Sequence, residues 1–182
     1  MNKLMKKVLV GITAATMMFG SVCTAYAATG SATVAPAPEK QVEAKSENGA
    51  TVNTSSNGTA TVTAVKATNK KNVSVSSKVT VDGVTYTVTK IGANTFANAK
   101  NATKVTLPAT VTTIGAKAFT GAKSVKTIVI SSKTAVTVSK TAFKGVDTSK
   151  MTIKVTNMSK KELKAFKKNL KNAGFKGTVK IV

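Results

Sequence analysis

The acidic and nucleophilic side chains of this sequence are few, and their spacing bears on whether the protein does chemistry. The 182 residues contain no histidine, and the one cysteine, Cys23, lies near the N-terminus. The six acidic residues are Glu39, Glu43, Glu47, Asp82, Asp147 and Glu162. No two of them are placed as an acid–base pair, and no cluster has the spacing of a metal site. We therefore expect no enzyme activity, no catalytic residue, no metal and no cofactor.

Lysine is the other side chain that bears on function, because all 28 basic residues are lysines and the formal net charge is +22. Two interpretations stay open. The lysines either keep a β-rich surface soluble or attract a polyanion, such as an anionic wall polymer (teichoic acid) or anionic lipid. The candidate polyanion contacts are Lys104, Lys126, Lys133, Lys154, Lys164 and Lys168. Specific nucleic-acid binding is not expected, because the sequence has no Arg for paired hydrogen bonds to bases.

The first 27 residues have the pattern of a Sec signal peptide. Three lysines precede a short apolar run, and the small residues Ala25 and Ala27 mark a cleavage site. A lipoprotein signal that retains Cys23 is the alternative, although the bulky Val22 is unusual before a lipidated cysteine. The apolar run is shorter than the roughly 20 residues of a membrane span, and no later segment is apolar enough. We expect secretion or surface association, cleavage near Ala27 and no transmembrane segment afterwards.

Residues 28–58 contain mainly Ala, Thr, Ser, Pro, Glu and Gly, with hardly a large apolar side chain. Such a segment buries too little surface to offset the entropy of ordering, so we predict a flexible linker. From residue 59 onward Val and Thr alternate, which predicts β-strands. Within VTVDGVTYTV, the dipeptide Asp82-Gly83 predicts the turn of a β-hairpin, since both residues tolerate positive φ angles.

A motif then recurs three times, as the spacing of Phe96, Phe119 and Phe143 by 23 and 24 residues shows. Each copy begins with an aliphatic residue, has Phe five residues later and ends in an aliphatic pair. A fixed period of this length predicts a solenoid, in which each unit buries its apolar residues against the next. The phenylalanine rings should then stack at about the strand spacing of 4.8 Å. The predicted repeat core is Ile91, Phe96, Val105, Leu107, Ile114, Phe119, Ile128, Ile130, Phe143, Ile153 and Val155.

The C-terminal segment, residues 159–182, has a different pattern. Ser159 and Glu162 match a helix capping box, and an apolar stripe follows at helical spacing. Gly174 is placed to end the helix in a left-handed conformation, with Phe175 against the last turn. A helix followed by the strand TVKIV suits a cap on the last repeat. A membrane-surface helix is the alternative, but the apolar stripe is narrow for that role.

The motif Ile-Gly-x-x-x-Phe, followed by aliphatic-x-aliphatic and by the restart VTTIG, resembles the BspA-type leucine-rich repeat of bacterial surface and secreted proteins. The segments VDGVTYTVTKIG and KELKAFKKNLKNAGFKGTVKIV are similar to the hairpin and the tail that flank such arrays. The resemblance implies a mainly β fold. It would be a short right-handed leucine-rich-repeat solenoid of parallel strands and short helical turns, with a leading β-hairpin and a C-terminal cap of one helix and one strand. The predicted domains are a signal peptide (1–27), a linker (28–58), a solenoid (59–158) and a cap (159–182).

The family is associated with adhesion and with binding other proteins at the cell surface. The resemblance therefore implies a non-enzymatic, secreted or cell-surface interaction module of a Gram-positive bacterium. Its partner would be a protein or glycan at the cell surface, contacted by strand residues such as Thr127 and Val129. The alternative is a polycationic envelope-binding protein that attaches electrostatically to teichoic acid or anionic lipid. A third hypothesis is a degraded relative of a longer adhesin, with no ligand of its own.

Overall fold

The computed structural model describes residues 43–45, 49–66 and 70–182. The predicted signal peptide and most of the predicted linker lie outside these ranges. Within them the chain forms twelve β-strands and one α-helix. The strands are β1 (Glu43–Lys45), β2 (Thr51–Thr54), β3 (Thr59–Ala64), β4 (Asn72–Ser74), β5 (Lys78–Val81), β6 (Val84–Ile91), β7 (Lys104–Leu107), β8 (Thr113–Ile114), β9 (Thr127–Ile130), β10 (Thr137–Val138), β11 (Thr152–Val155) and β12 (Thr178–Ile181), and the helix is α1 (Lys160–Asn172).

The strands form two sheets. Sheet A has the order β1-β2-β3-β6-β8-β10, with β5 also paired to β6. Sheet B has the order β4-β7-β9-β11-β12, and each neighbouring pair in it is parallel. The pairs β6–β8 and β8–β10 of sheet A are parallel as well. Each repeat therefore contributes one strand to each of two parallel ladders.

Equivalent residues of successive repeats are direct neighbours in these ladders. Ile114 lies between Ile91 and Val138 in sheet A, and Ile128 lies between Val105 and Ile153 in sheet B. All the residues predicted for the repeat core are buried, with at most 5% of each side chain's surface exposed. The core thus fills the space between the two ladders.

The phenylalanine rings form a stack within this core. The centroids of Phe96 and Phe119 lie 4.9 Å apart with an interplanar angle of 15°. Those of Phe119 and Phe143 lie 5.1 Å apart at 7°. These separations match the strand spacing of about 4.8 Å, as expected when one repeat lies directly over the next.

The segments that lead from sheet A to sheet B are hydrogen-bonded turns. After β6, the carbonyl groups of Asn94, Phe96 and Ala99 each accept a hydrogen bond from the amide three residues further on. Asn94 has a φ angle of 55°, and the equivalent Lys117 has 53°. A left-handed residue at this position interrupts the run of negative φ angles that a helix needs. Each segment is therefore a series of single turns with hydrogen bonds between residues three apart, rather than a continuous helix.

The ordered fold also begins before residue 59. Strand β2 lies inside the predicted linker, and its Val52 is fully buried opposite Val62 of β3. Its residues alternate between half-buried and buried, which is the period of a strand with one face on the core. The assignment of residues 49–58 to a flexible linker is wrong, because a single valine suffices when the neighbouring strand supplies the rest of the apolar surface.

A hairpin and one buried hydroxyl group connect the N-terminal strands to the repeats. Strands β5 and β6 pair antiparallel, and both turn residues, Asp82 and Gly83, have positive φ angles of 50° and 78°. Thr95, in the first repeat, is fully buried. Its hydroxyl group lies 2.8 Å from the carbonyl oxygen of Val62, to which it donates a hydrogen bond. This contact fixes the end of β3 on the first repeat.

Helix α1 packs against the C-terminal end of sheet A. Ser159 Oγ accepts a hydrogen bond from the Glu162 amide at 3.2 Å, as the predicted capping box requires. The Glu162 carboxylate, however, accepts from the amide of Ala135 at 2.6 Å, so the second half of the box is replaced by a tertiary contact. Asn169 Nδ2 donates to the carbonyl of Val136 at 3.0 Å. Two side chains thus fix the helix to the segment before β10.

The end of α1 returns the chain to the core. Gly174 has a φ angle of 75°, its amide donates to the carbonyl of Lys171, and the amide of Phe175 donates to that of Leu170. This is a Schellman motif. The ring of Phe175 lies 5.3 Å from that of Phe143, tilted by 50°. Phe175 therefore ends the phenylalanine stack, and β12 follows as the last strand of sheet B.

Candidate binding surface

Sheet B presents an outward face of regularly spaced side chains. Side chains alternate along each strand, so the residues between the buried aliphatic positions point away from the core. Because the strands are in register, outward residues form rows across the sheet, with neighbours about 4.8 Å apart. One row is Asn72, Lys104, Thr127, Thr152 and Thr178, and the other is Ser74, Thr106, Val129, Lys154 and Lys180.

The central part of this face is held rigidly. Strands β7, β9 and β11 each have a hydrogen-bonded neighbour on both sides. Thr127 and Val129, which the sequence analysis names as contact residues, lie on β9 and are half-buried between the side chains of adjacent strands. Their positions are therefore fixed before any ligand arrives, which reduces the entropy lost on binding.

The outward face is polar and basic. Lys154 of β11 is the direct register partner of Lys180 of β12, and Lys104 lies on β7. Neither row contains an acidic residue. Like charges directly opposite each other on adjacent strands destabilise a sheet, and an anion bound between the two ammonium groups would relieve that repulsion.

The predicted polyanion contacts are all exposed, but they lie on different elements. Lys104 and Lys154 lie on the outward face of sheet B. Lys126 directly precedes β9, at the edge of that face, and Lys133 lies in the segment that follows β9.

The two remaining candidates, Lys164 and Lys168, lie on α1. The side chains that hold this helix are bonded to the segment before β10, in sheet A. In the sequence the sheet and helix lysines form one candidate set, whereas the structure places them on separate surfaces.

Lys180 lies beside Lys154 on the outward face of sheet B. It is not among the polyanion contacts predicted from the sequence. The signal was present in the sequence, since TIKV of β11 and TVKI of β12 carry Lys at the same place. Aligning these two strands as neighbours would have placed Lys180 beside Lys154.

Two acidic side chains have structural roles: Glu162 fixes the helix, as described above, and Asp147 stabilises a turn. Asp147 accepts hydrogen bonds from the amide and the hydroxyl group of Ser149 at 3.0 and 2.7 Å. These bonds, with nearby lysines, hold the pKa of Asp147 below its ordinary value of 3.8. In the part of the chain that the structure describes, no group of three or more His, Cys, Asp or Glu side chains could hold a metal ion. The same residues include no helix of the length and apolar character needed to cross a membrane.

The architecture is that of a leucine-rich-repeat protein. Among solved structures, the chain is similar to a leucine-rich repeat protein from Bacteroides capillosus, with a TM-score of 0.56 and 23% identity, covering 78% of this chain and 99% of that one. A leucine rich cell surface protein from Faecalibacterium prausnitzii gives a TM-score of 0.49 and 20% identity, covering 80% of this chain and 44% of that one. No curated protein is significantly similar.

The family follows from the sequence match. A profile of the BspA type leucine rich repeat region, six copies in length, matches residues 89–182, just over half of the chain. The chain belongs to this family, which confirms the resemblance drawn from its repeated motif. The likeness to the Bacteroides protein supports the mainly β fold with parallel strands and one helix.

Proposed function

We propose that the protein is a non-enzymatic interaction module at a bacterial cell surface, which binds a protein or glycan partner through the outward face of sheet B. Membership of the BspA-type family supports a role in binding other proteins. The finer features of the proposal are a right-handed solenoid, export by a signal peptide cleaved near Ala27, a Gram-positive source and a role in adhesion.

The observation that carries this proposal is the pair of in-register rows on sheet B. With about 4.8 Å between strands and about 3.3 Å per residue, five strands of three or four residues give a face of roughly 20 by 13 Å. A stable interface between globular proteins buries about 800 Å² on each partner, which is larger than this face. The face therefore suits a narrow, linear ligand, such as a glycan chain or an extended protein segment.

A second candidate function is electrostatic attachment to the cell envelope, through teichoic acid or anionic lipid. The observations that favour it are the formal net charge of +22 and the unrelieved pair of Lys154 and Lys180 on adjacent strands. In this case the ligand would be selected by charge, and any comparable set of lysines would contribute.

One retention assay separates the two candidates. A sheet variant carries Lys104→Gln, Lys154→Gln and Lys180→Gln, and a charge-matched helix variant carries Lys161→Gln, Lys164→Gln and Lys168→Gln. Each is incubated with native envelope fractions and washed with salt rising from about 0.15 to 0.5 M, where the screening length falls from about 8 Å to under 5 Å. If the outward face of sheet B binds a specific ligand, only the sheet variant should be washed off the envelope, and the parent chain should remain bound.

The electrostatic candidate predicts equal losses for both variants and release of the parent chain by salt. If both variants are retained like the parent, neither surface is the binding site and both candidates are wrong.

A further inference from the structure

The two sheets end differently at the N-terminal side of the repeats. Sheet A continues beyond β6 into β3, β2 and β1, whereas sheet B stops at β4. A cleft of about 480 Å³ lies beside β4, where one more strand of sheet B would fit. It is lined on one side by residues of β4 and on the other by Ala50, by the end of β3 and by Val79 of β5.

The edge of β4 that faces away from β7 has backbone groups with no partner among the described residues. Lys71 O accepts from the amide of Lys104, and the amide of Val75 donates to Thr106 O, so alternate residues from 71 to 75 bond to β7. The amide and carbonyl groups of Asn72 and Ser74 point the other way. Both residues line the cleft, and in the described ranges β4 has no strand on that side.

The side chains of the cleft are apolar at its floor and basic at its rim. Val62, Val73 and Val79 are buried, with 1%, 8% and 3% of their surfaces exposed, and all three line the cleft. Lys66 is exposed at the rim, and the described residues of the lining include no acidic side chain.

We propose that this cleft binds an extended acidic peptide, which adds to β4 as a further strand of sheet B. The open edge supplies backbone hydrogen bonds, the valines receive alternate side chains, and the basic rim favours a peptide with Asp or Glu at the positions between. The site uses the backbone edge of β4 rather than the side chains of the outward face of sheet B, and it does not depend on the function proposed for that face.

The first test measures fluorescence anisotropy of the purified chain with two end-blocked, labelled hexapeptides, EVEVEV and KVKVKV. The acidic peptide is expected to bind at least about tenfold more tightly than the basic one. Lys66→Glu should narrow this preference. Equal binding of the two peptides would overturn the proposal. Binding of a fatty acid, dodecanoate, together with no binding of the acidic peptide would overturn it as well.

The second test blocks the edge. Ser74→Pro replaces the amide that points into the cleft with a proline ring, which the edge strand of a sheet tolerates. It should weaken binding of EVEVEV by about tenfold or more, while Ser74→Ala should leave it unchanged. Binding to Ser74→Pro at the affinity of the parent chain would contradict the site.

Amide hydrogen exchange of the parent chain locates the peptide independently of any variant. With EVEVEV bound, the amides of Asn72 and Ser74 should become protected. Protection of the exposed edge of β12, at Val179 and Ile181, with none at Ser74 would overturn the proposal and assign the peptide to the opposite end of the sheet.

Discussion

At the C-terminal end of the repeats large aromatic side chains close the core, whereas at the N-terminal end a cleft remains beside β4. Helix α1 lies over the last strand of sheet A, and β12 extends sheet B. Phe166, which is fully buried, and Phe175, which contacts Phe143, close the core between them. At the other end, β3 extends sheet A, but nothing in the described ranges extends sheet B beyond β4.

The difference shows that closing a stack of repeats depends on large apolar side chains over the core, since sheet B ends in an edge strand, β12 or β4, at either end. Each repeat buries its apolar residues against a neighbour, so the terminal repeat leaves one side open unless another element covers it. Two large aromatic residues and a hydrophobic helix face do this at the C-terminal end. The N-terminal end uses smaller valines, and a cleft remains.

The largest loss of stability is expected when Phe166, the fully buried residue of the C-terminal helix, is shortened. Phe166→Ala should lower the free energy of unfolding by about 3–5 kcal/mol, because it leaves a cavity at a fully buried position. Urea denaturation measures this value. Leu163→Ala, at a half-buried position of the same helix, is the control and should cost clearly less. Equal losses would mean that the helix does not close the core through Phe166.

The second-largest loss of stability is expected when the hydrogen bond between the helix and the last repeat is removed. Glu162→Ala removes the acceptor of the Ala135 amide and should cost about 1.5–3 kcal/mol, the range for a hydrogen bond to a charged group. Glu162→Gln keeps an acceptor oxygen and should cost less than half as much. If Gln and Ala are equally destabilising in thermal or urea unfolding, the bond to Ala135 contributes nothing.

A smaller effect is expected where the N-terminal strands join the repeats. Thr95→Val removes the hydroxyl group that donates to Val62 O and should cost about 1 kcal/mol, since that carbonyl retains the Gly92 amide as a donor. Thr95→Ser keeps the hydroxyl group and serves as the control. A Thr95→Val variant as stable as the parent chain would show that packing alone holds this junction.

The smallest effect is a dependence on pH at Asp147, which is fully exposed. Because its pKa is lowered in the folded chain, its contribution is complete above the ordinary value of 3.8 and disappears as the pH falls through the folded value. The difference in melting temperature between the parent chain and Asp147→Asn should therefore be constant from neutral pH to about pH 4. Below that it should shrink, and a difference that grows instead would contradict the bonds to Ser149.

The repeat core was predictable because large side chains at a fixed period have one simple arrangement. Phe96, Phe119 and Phe143 are scarce residues in a sequence with six phenylalanines, so their register was informative. Phe175 breaks the period, since the helix is inserted before it, and its place in the stack depends on tertiary structure. Val52 was missed for a related reason, because one buried valine in a polar segment gives too weak a pattern.

The candidate surface was only partly predictable. Exposed lysines look alike in a sequence, and only strand register shows that Lys154 and Lys180 are neighbours while Lys164 lies on another element. The cleft beside β4 had no sequence signal, since it results from the two sheets ending at different strands. Thr95 was likewise unremarkable in a chain rich in threonine.

Residue-resolved amide hydrogen exchange of the free chain tests the open edge of sheet B at β4 most directly. At β11, which has neighbours on both sides, the consecutive amides of Ile153 and Lys154 should both be strongly protected. At β4 protection should alternate, with Val73 protected and the amides of Asn72 and Ser74 exchanging rapidly. Strong protection of Asn72 and Ser74 in the free chain would show that sheet B is already closed at β4, and would contradict the account.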